Sequence, residues 1–316
     1  MVNFSTVELF TLSGLQGVGD NRSIYFVFTL LTYLLIISVN VTLIVTILTE
    51  KTLHGPMYIF LCNLCANSLY GTTGFYPKIL LDLLSDVHAI SYKLCLLQIY
   101  VIYTSVSCEI PILTAMAYDR YVAICRPLEY HTVMTPLMVR SMLFSAWCVP
   151  LFWHVITTLC TFRLSLCGSH INKLYCDNWS VVKLSCGPTT VNNVLGYVII
   201  MFEILQALFT LYSYYCIVRV CLKSKECRRK FMQTCLPHLM ALVNFIIATL
   251  FDVMYSRYGS DSLPLTLHNI MAVEFLVIPP LFNPIIYGLN LQNVRSNLFR
   301  RCYRHKVTQM PIVGDL

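Results

Sequence analysis

The chain has 316 residues, 57% of them hydrophobic and only 12% charged, with a mean hydropathy of +0.68. A soluble domain carries about 25% charged residues, so the composition excludes an ordinary water-soluble fold and points to lipid as the solvent. The formal net charge of +7 lies in short segments between apolar runs, with no soluble domain to present it, which argues against a nucleic-acid partner.

Residues 1–23 contain no basic stretch followed by a short apolar run and a cleavage site, so no removable signal peptide is expected and the first helix would direct insertion. Asn3-Phe4-Ser5 fits the glycosylation acceptor pattern. Crossing a hydrocarbon core of about 30 Å takes about 20 apolar residues in a helix. Seven windows meet that length: Ile24–Leu48, Met57–Leu84, Leu94–Tyr118, Ser141–Phe162, Val191–Val218, Phe231–Ser256 and Ser262–Leu291. Each should be helical, because no water satisfies free backbone groups inside a bilayer. The alternating strands of a membrane barrel are absent from the pattern. The expected fold is an all-α membrane protein: an outer amino terminus (1–23), a seven-transmembrane helix bundle (24–291) and a cytoplasmic tail (292–316).

Basic residues in short loops are retained on the cytoplasmic side. With the amino terminus outside, inner segments hold fifteen Lys and Arg and outer segments six, which fixes that orientation. After the seventh window, Leu291, Val294, Leu298 and Cys302 share one helical face with arginines on the others, the pattern of a short amphipathic helix in the inner interface. Cys302 there is either an acylation site or an unmodified thiol.

The fifteen cysteines sort by compartment. Cys62, Cys65, Cys108, Cys125, Cys148, Cys160, Cys216, Cys221 and Cys235 lie in helices or at their inner ends, and Cys227 and Cys302 face the reducing cytoplasm. Cys62-x-x-Cys65 has metal or redox spacing but sits in an apolar helix without nearby His or carboxylate, so it reads as packing. Cys95, Cys167, Cys176 and Cys186 are on the oxidising side, where four cysteines allow three connectivities.

The run Met116-Ala117-Tyr118-Asp119-Arg120-Tyr121-Val122-Ala123-Ile124-Cys125 starts in the third window and carries an acid–base pair at the inner boundary that can be made or broken at low cost. With this run the chain resembles the odorant receptors of the rhodopsin-like G-protein-coupled class. The resemblance spans nearly the whole chain: Leu53-His54-Gly55-Pro56-Met57-Tyr58, the run above continuing into Arg126-Pro127-Leu128-x-Tyr130, Ser213-Tyr214-Tyr215, Lys230-x-x-x-Thr234-Cys235-x-x-His238-Leu239, and Asn283-Pro284-Ile285-Ile286-Tyr287.

The resemblance implies several things at once. The outer cysteines would pair as Cys95–Cys176 and Cys167–Cys186. Asp119, Arg120 and Tyr121, with Tyr214, Asn283, Pro284 and Tyr287, would form the switch read by a heterotrimeric G protein of the stimulatory, cyclic-AMP-raising type. Two departures, Ser68 where the family has an Asp and Phe245-Ile246-Ile247-Ala248 in the sixth window, are closer to fish members. With Ser68 there, Glu109 has no acidic partner in the second helix for a sodium site of the usual kind.

Ionisable residues inside a membrane are costly and face the bundle interior. Lys78, Asp82, Glu109, Glu203, Asp252 and Glu274 form that set, with Lys78 expected to pair with an interior acid. Glu203, Glu274, Asp252 and Arg257, with Tyr100, Tyr103, Thr104 and Ser107, are the candidate contacts for a small polar or charged, water-soluble ligand. Met201, Phe202 and Phe251 would extend the wall.

No cofactor or metal is expected, and no cluster of nucleophile, base or metal ligands marks an enzyme. A receptor for a small ligand outside olfaction is the alternative. A small-solute transporter is weaker, since paired halves with matching midplane charges are missing.

Overall fold

The computed structural model describes residues 8–15, 21–258 and 265–290. Asn3, the segment 292–302 with Cys302, and the side chain of Tyr287 lie outside the described residues.

Among the described residues ten helices follow in order: α1 (Arg22–Thr49), α2 (Pro56–Leu84), α3 (Tyr92–Cys125), α4 (Tyr130–Val133), α5 (Pro136–Phe162), α6 (Asn178–Lys183), α7 (Thr190–Cys221), α8 (Lys225–Thr234), α9 (Leu236–Tyr258) and α10 (Leu265–Asn290). Local chemistry sets several starts. Ser91 Oγ accepts from the Leu94 amide, Thr135 Oγ1 from Met138 and Ser224 Oγ from Cys227, each capping an otherwise orphaned donor. Pro56 and Pro136 occupy first-turn positions, where a missing N–H costs nothing.

α1, α3, α5 and α7 outrun their apolar windows. α3 continues past Tyr118 to Cys125, because its charged inner end reaches beyond the hydrocarbon. The sixth window is divided: Cys235 separates α8 from α9, and the absent amide of Pro237, which also disfavours helix at the residue before it, accounts for the break.

By length and composition α1, α3, α5, α7 and α9 can each cross a bilayer, and α2 and α10 pack among them. Phe28, Leu31, Phe144, Phe152, Leu205 and Leu208 are exposed on the outer surface of this bundle, which suits apolar contact with lipid tails. α3 is the central element, touching α2, α5, α7 and α9. Small residues let it approach α2: a Cβ at Gly71 would collide with Ser105, and one at Gly74 would press on Val101 and Ile102. Asn67 Nδ2 donates to the Ser105 carbonyl at 2.9 Å and Gln98 Nε2 to the Gly74 carbonyl at 2.8 Å.

α10 shows how proline shapes a partner. The carbonyl of residue 280 would normally accept from the amide of residue 284, but Pro284 has none. Asn40 Nδ2 of α1 takes its place, donating to that carbonyl at 2.8 Å.

The fold is not wholly helical. β1 (Leu9–Leu12) lies between β2 (Ala89–Ser91), antiparallel with Phe10 opposite Ile90, and β3 (His170–Ile171), parallel with Leu12 opposite Ile171. Phe10 and Leu12 alternate inward and are buried, a period-two pattern that four residues are too few to signal in the sequence.

Candidate functional site

The segment between α5 and α7 folds over the outer mouth of the bundle. It is held by bonds from Cys95 to Cys176 and from Cys167 to Cys186, and by β3 against β1. Tyr175 is fully buried, edge-on to Phe75 of α2 and Phe275 of α10. Lys173, also buried, reaches Asp252 Oδ1 at 3.0 Å, Asp177 Oδ2 at 3.3 Å and Ser256 Oγ at 2.6 Å. Asp177 caps α6 through the amides of Trp179 and Ser180 and accepts from the Tyr103 hydroxyl at 2.7 Å.

Burial works to discharge Lys173, but Asp177 and Asp252 hold its pKa above the ordinary lysine value. Burial likewise works to protonate Asp177; Lys173, together with the bonds from Tyr103 and Ser180, holds it at about 2. The lid is therefore pinned to α9 by a charged clamp.

Beneath it lies a cavity of about 860 Å³, its open mouth included. α3 contributes Ile99, Tyr103, Val106 and Ser107, at spacings of four, seven and eight residues that place them on one helix face. Glu203 of α7 lies deep in the wall, accepting from Ser107 Oγ at 2.5 Å, and Ser107 Oγ also meets His154 Nε2 of α5 at 2.9 Å. Arg257 closes the outer side, donating to Asn193 Oδ1 at 3.1 Å and lying over the rings of Trp179 and Tyr197 at 4.5 and 4.9 Å. Gly196 makes room for it, since a Cβ there would strike the guanidinium.

Tyr103, Ser107, Glu203, Asp252 and Arg257 line this cavity. Tyr100, Thr104 and Glu274 are not in its lining. Tyr100 and Thr104 turn toward Tyr70 of α2, because a step of one residue rotates a side chain by about 100°. Glu274 is displaced in the same way from its lining neighbour Phe275. Met201 and Phe202 are exposed on the outside of α7, and Phe251 stacks on Tyr255. His154, Lys173, Asp177 and Trp179 were missed by sequence reasoning. A capping signal at Asp177-Asn178-Trp179-Ser180 is visible in the chain, but nothing local announces that Lys173 reaches α9.

At the inner end, Asp119 is fully buried. Arg120 Nε donates to Asp119 Oδ2 at 2.9 Å and the Tyr130 hydroxyl to Oδ1 at 2.7 Å. Tyr121 packs half-buried beside Tyr118. The Tyr214 hydroxyl and His238 Nδ1 are hydrogen-bonded. Between the two ends, Asn283 Nδ2 donates to Glu109 Oε1 at 3.0 Å, while Ser68 Oγ turns back to the Leu64 carbonyl. Lys78 pairs with Asp82 one turn along α2. The structure also joins Cys221 to Cys227, where reduced thiols were expected. The short turn from α7 into α8 brings their Cα atoms to 4.8 Å, within bonding range.

Residues 28–305 match the family model described as olfactory receptor. Olfactory receptor 5M5 of Mus musculus is 33% identical over 311 residues, 97% of each chain. Olfactory receptor 5AR1 of Mus musculus is 35% identical over 298 residues, covering 93% of this chain and 95% of that one. Olfactory receptor 1D2 of Pongo pygmaeus is 35% identical over 302 residues, covering 94% and 95%. The chain belongs to the olfactory receptor family: it is a multi-pass plasma-membrane receptor of seven helices, coupled to a G protein and responsive to odorants, and it is not an enzyme.

Proposed function

We propose that the outer cavity is the odorant site, with Tyr103, Ser107, Glu203, Asp252 and Arg257 among its contacts. The switch is Asp119, Arg120, Tyr121 and Tyr214 at the inner end together with Asn283, Pro284 and Tyr287 of α10, read by a stimulatory, cyclic-AMP-raising G protein. Residues 1–23 lie outside the cell and the tail from 292 lies inside.

One observation carries this reading: a single helix serves both ends. α3 presents Tyr103 and Ser107 to the cavity, meets α10 through Glu109 and Asn283, and carries the Asp119–Arg120 pair near its inner end, about 18 Å of helix beyond Ser107. A ligand that prefers one arrangement of α3 against α7 and α9 shifts the population of the inner end by its differential affinity.

The test is a cyclic-AMP assay of ligand-treated cells, comparing wild type with Arg120→Ala and Ser107→Ala at matched surface expression. Arg120→Ala should abolish the signal but keep ligand binding, whereas Ser107→Ala should shift ligand potency. A ligand response untouched by Arg120→Ala overturns the proposed switch.

A further inference from the structure

We infer that this receptor's cavity is built for an organic amine, its ammonium group seated on Glu203 and its apolar tail in a chamber below. The inference rests on the cavity being the odorant site and adds the ligand's chemistry.

Charge balance is the first argument. Four charged side chains surround the outer half of the cavity: Lys173 and Arg257 against Asp177 and Asp252. They cancel. Glu203 is the fifth charge around the same cavity and leaves it one negative charge in excess, and no ion pair joins Glu203 to a cation among the described residues. Its bond from Ser107 is a neutral one. An uncompensated carboxylate in an apolar surround is costly unless neutralised or paired, and a ligand ammonium supplies the missing charge at the place where the ligand binds.

The surroundings supply the second. Thr249 of α9 is more than nine-tenths buried, its Oγ1 has no hydrogen-bond partner among the described atoms, and it shares the cavity lining with Glu203. Glu203 and Thr249 also border a smaller chamber of about 370 Å³, open space included, whose other walls include Ile110, Ile204, Ala207 and Leu250. An ammonium has three donors, enough for Glu203 with one left for Thr249. A carboxylate or a phosphate placed there would instead face Glu203, a like-charge contact in a site of low dielectric. The apolar walls below suit an alkyl or aryl tail and offer nothing to a second charge.

The experiment applies hexylamine, hexanol, hexanal and hexanoic acid to cells expressing the full-length receptor, with wild type, Glu203→Gln, Glu203→Asp and Thr249→Val read for cyclic AMP and surface staining. Hexylamine should activate wild type at lower concentration than the other three. Glu203→Gln should weaken the amine by about 30-fold or more, the scale of losing a desolvated charge partner, and leave surface staining unchanged. Glu203→Asp should retain most of the response, and Thr249→Val should lose part of it. The inference is overturned by an amine response that Glu203→Gln leaves within about threefold, by a better response to the acid, the alcohol or the aldehyde, or by silence toward the amine. Activation by any other compound of the four, abolished by Arg120→Ala, would leave the receptor reading standing while removing the amine. Should Glu203→Gln fail to reach the surface, potencies of Glu203→Asp and Thr249→Val decide the same question.

Discussion

The hydroxyl of Tyr130 donates to Asp119 Oδ1 at 2.7 Å while Arg120 holds Oδ2 of the same carboxylate. Asp119 is thus shared between α3 and the start of α4, and on the switch proposed above Tyr130 would steady the paired form of the latch. A hydrogen bond to a charged group contributes about 1.5–3 kcal/mol. Tyr130→Phe should therefore raise ligand-independent cyclic AMP several-fold at equal surface expression. Unchanged basal signalling would mean that the bond does not distinguish the two states.

Lys173 is the one cation touching both Asp177 and Asp252 among the described residues. Replacing it with methionine leaves two buried carboxylates facing each other, a loss of about 3–5 kcal/mol. Lys173→Met should sharply reduce surface expression, and adding Asp252→Asn should recover part of it. Equal expression of the single and double variants would show that the clamp carries little of the fold.

The clamp also sets a pH window. Asp177 has a depressed pKa, so its contribution is complete above the ordinary aspartate value of about 3.9 and is lost only as pH falls through about 2. Lys173 has a raised pKa, so its contribution is complete below the ordinary lysine value of about 10.4 and is lost as pH rises beyond that value. Amide exchange in residues 170–183, corrected for its intrinsic pH dependence, should be flat from pH 5 to 9. Loosening of that segment by pH 5 would contradict this account.

Asn40→Ala should destabilise the purified receptor by about 1–3 kcal/mol, because the carbonyl of residue 280 is left buried without a donor. The double change Asn40→Ala with Pro284→Ala restores a backbone amide to that carbonyl. The two losses should then combine to less than their sum in a thermal-shift assay. Strict additivity would disconnect the two positions.

The seven spans are legible from the chain because lipid enforces helix wherever about 20 apolar residues run together. The acid–base end of α3 is legible because both partners are adjacent. What resisted reading depends on rotation or distance. Tyr100 and Thr104 differ from the cavity-facing Tyr103 and Ser107 only by helical phase, and an apolar helix buried on most sides gives no hydrophobic stripe from which to read that phase. Lys173 meets Asp252 at a sequence separation of 79, and the acid in α9 looks like any other ionisable residue in a span. β1 is four residues in a stretch otherwise without a pattern. The division at Cys235 follows from Pro237, whose effect is local and could have been foreseen.

The outer segment between α5 and α7 is more than a cover, since Asp177, Asn178 and Trp179 form part of the cavity wall. A surface segment tolerates change more readily than the packed bundle does, provided its two disulfides and the Lys173 clamp persist. This divides the labour between two kinds of sequence. On the site proposed above, the helices would set how the receptor reports, while an extracellular stretch tethered at its ends could change and alter what is reported. On that proposal, a relative with an identical bundle but a different residue at 178 or 179 would sample a different part of chemical space.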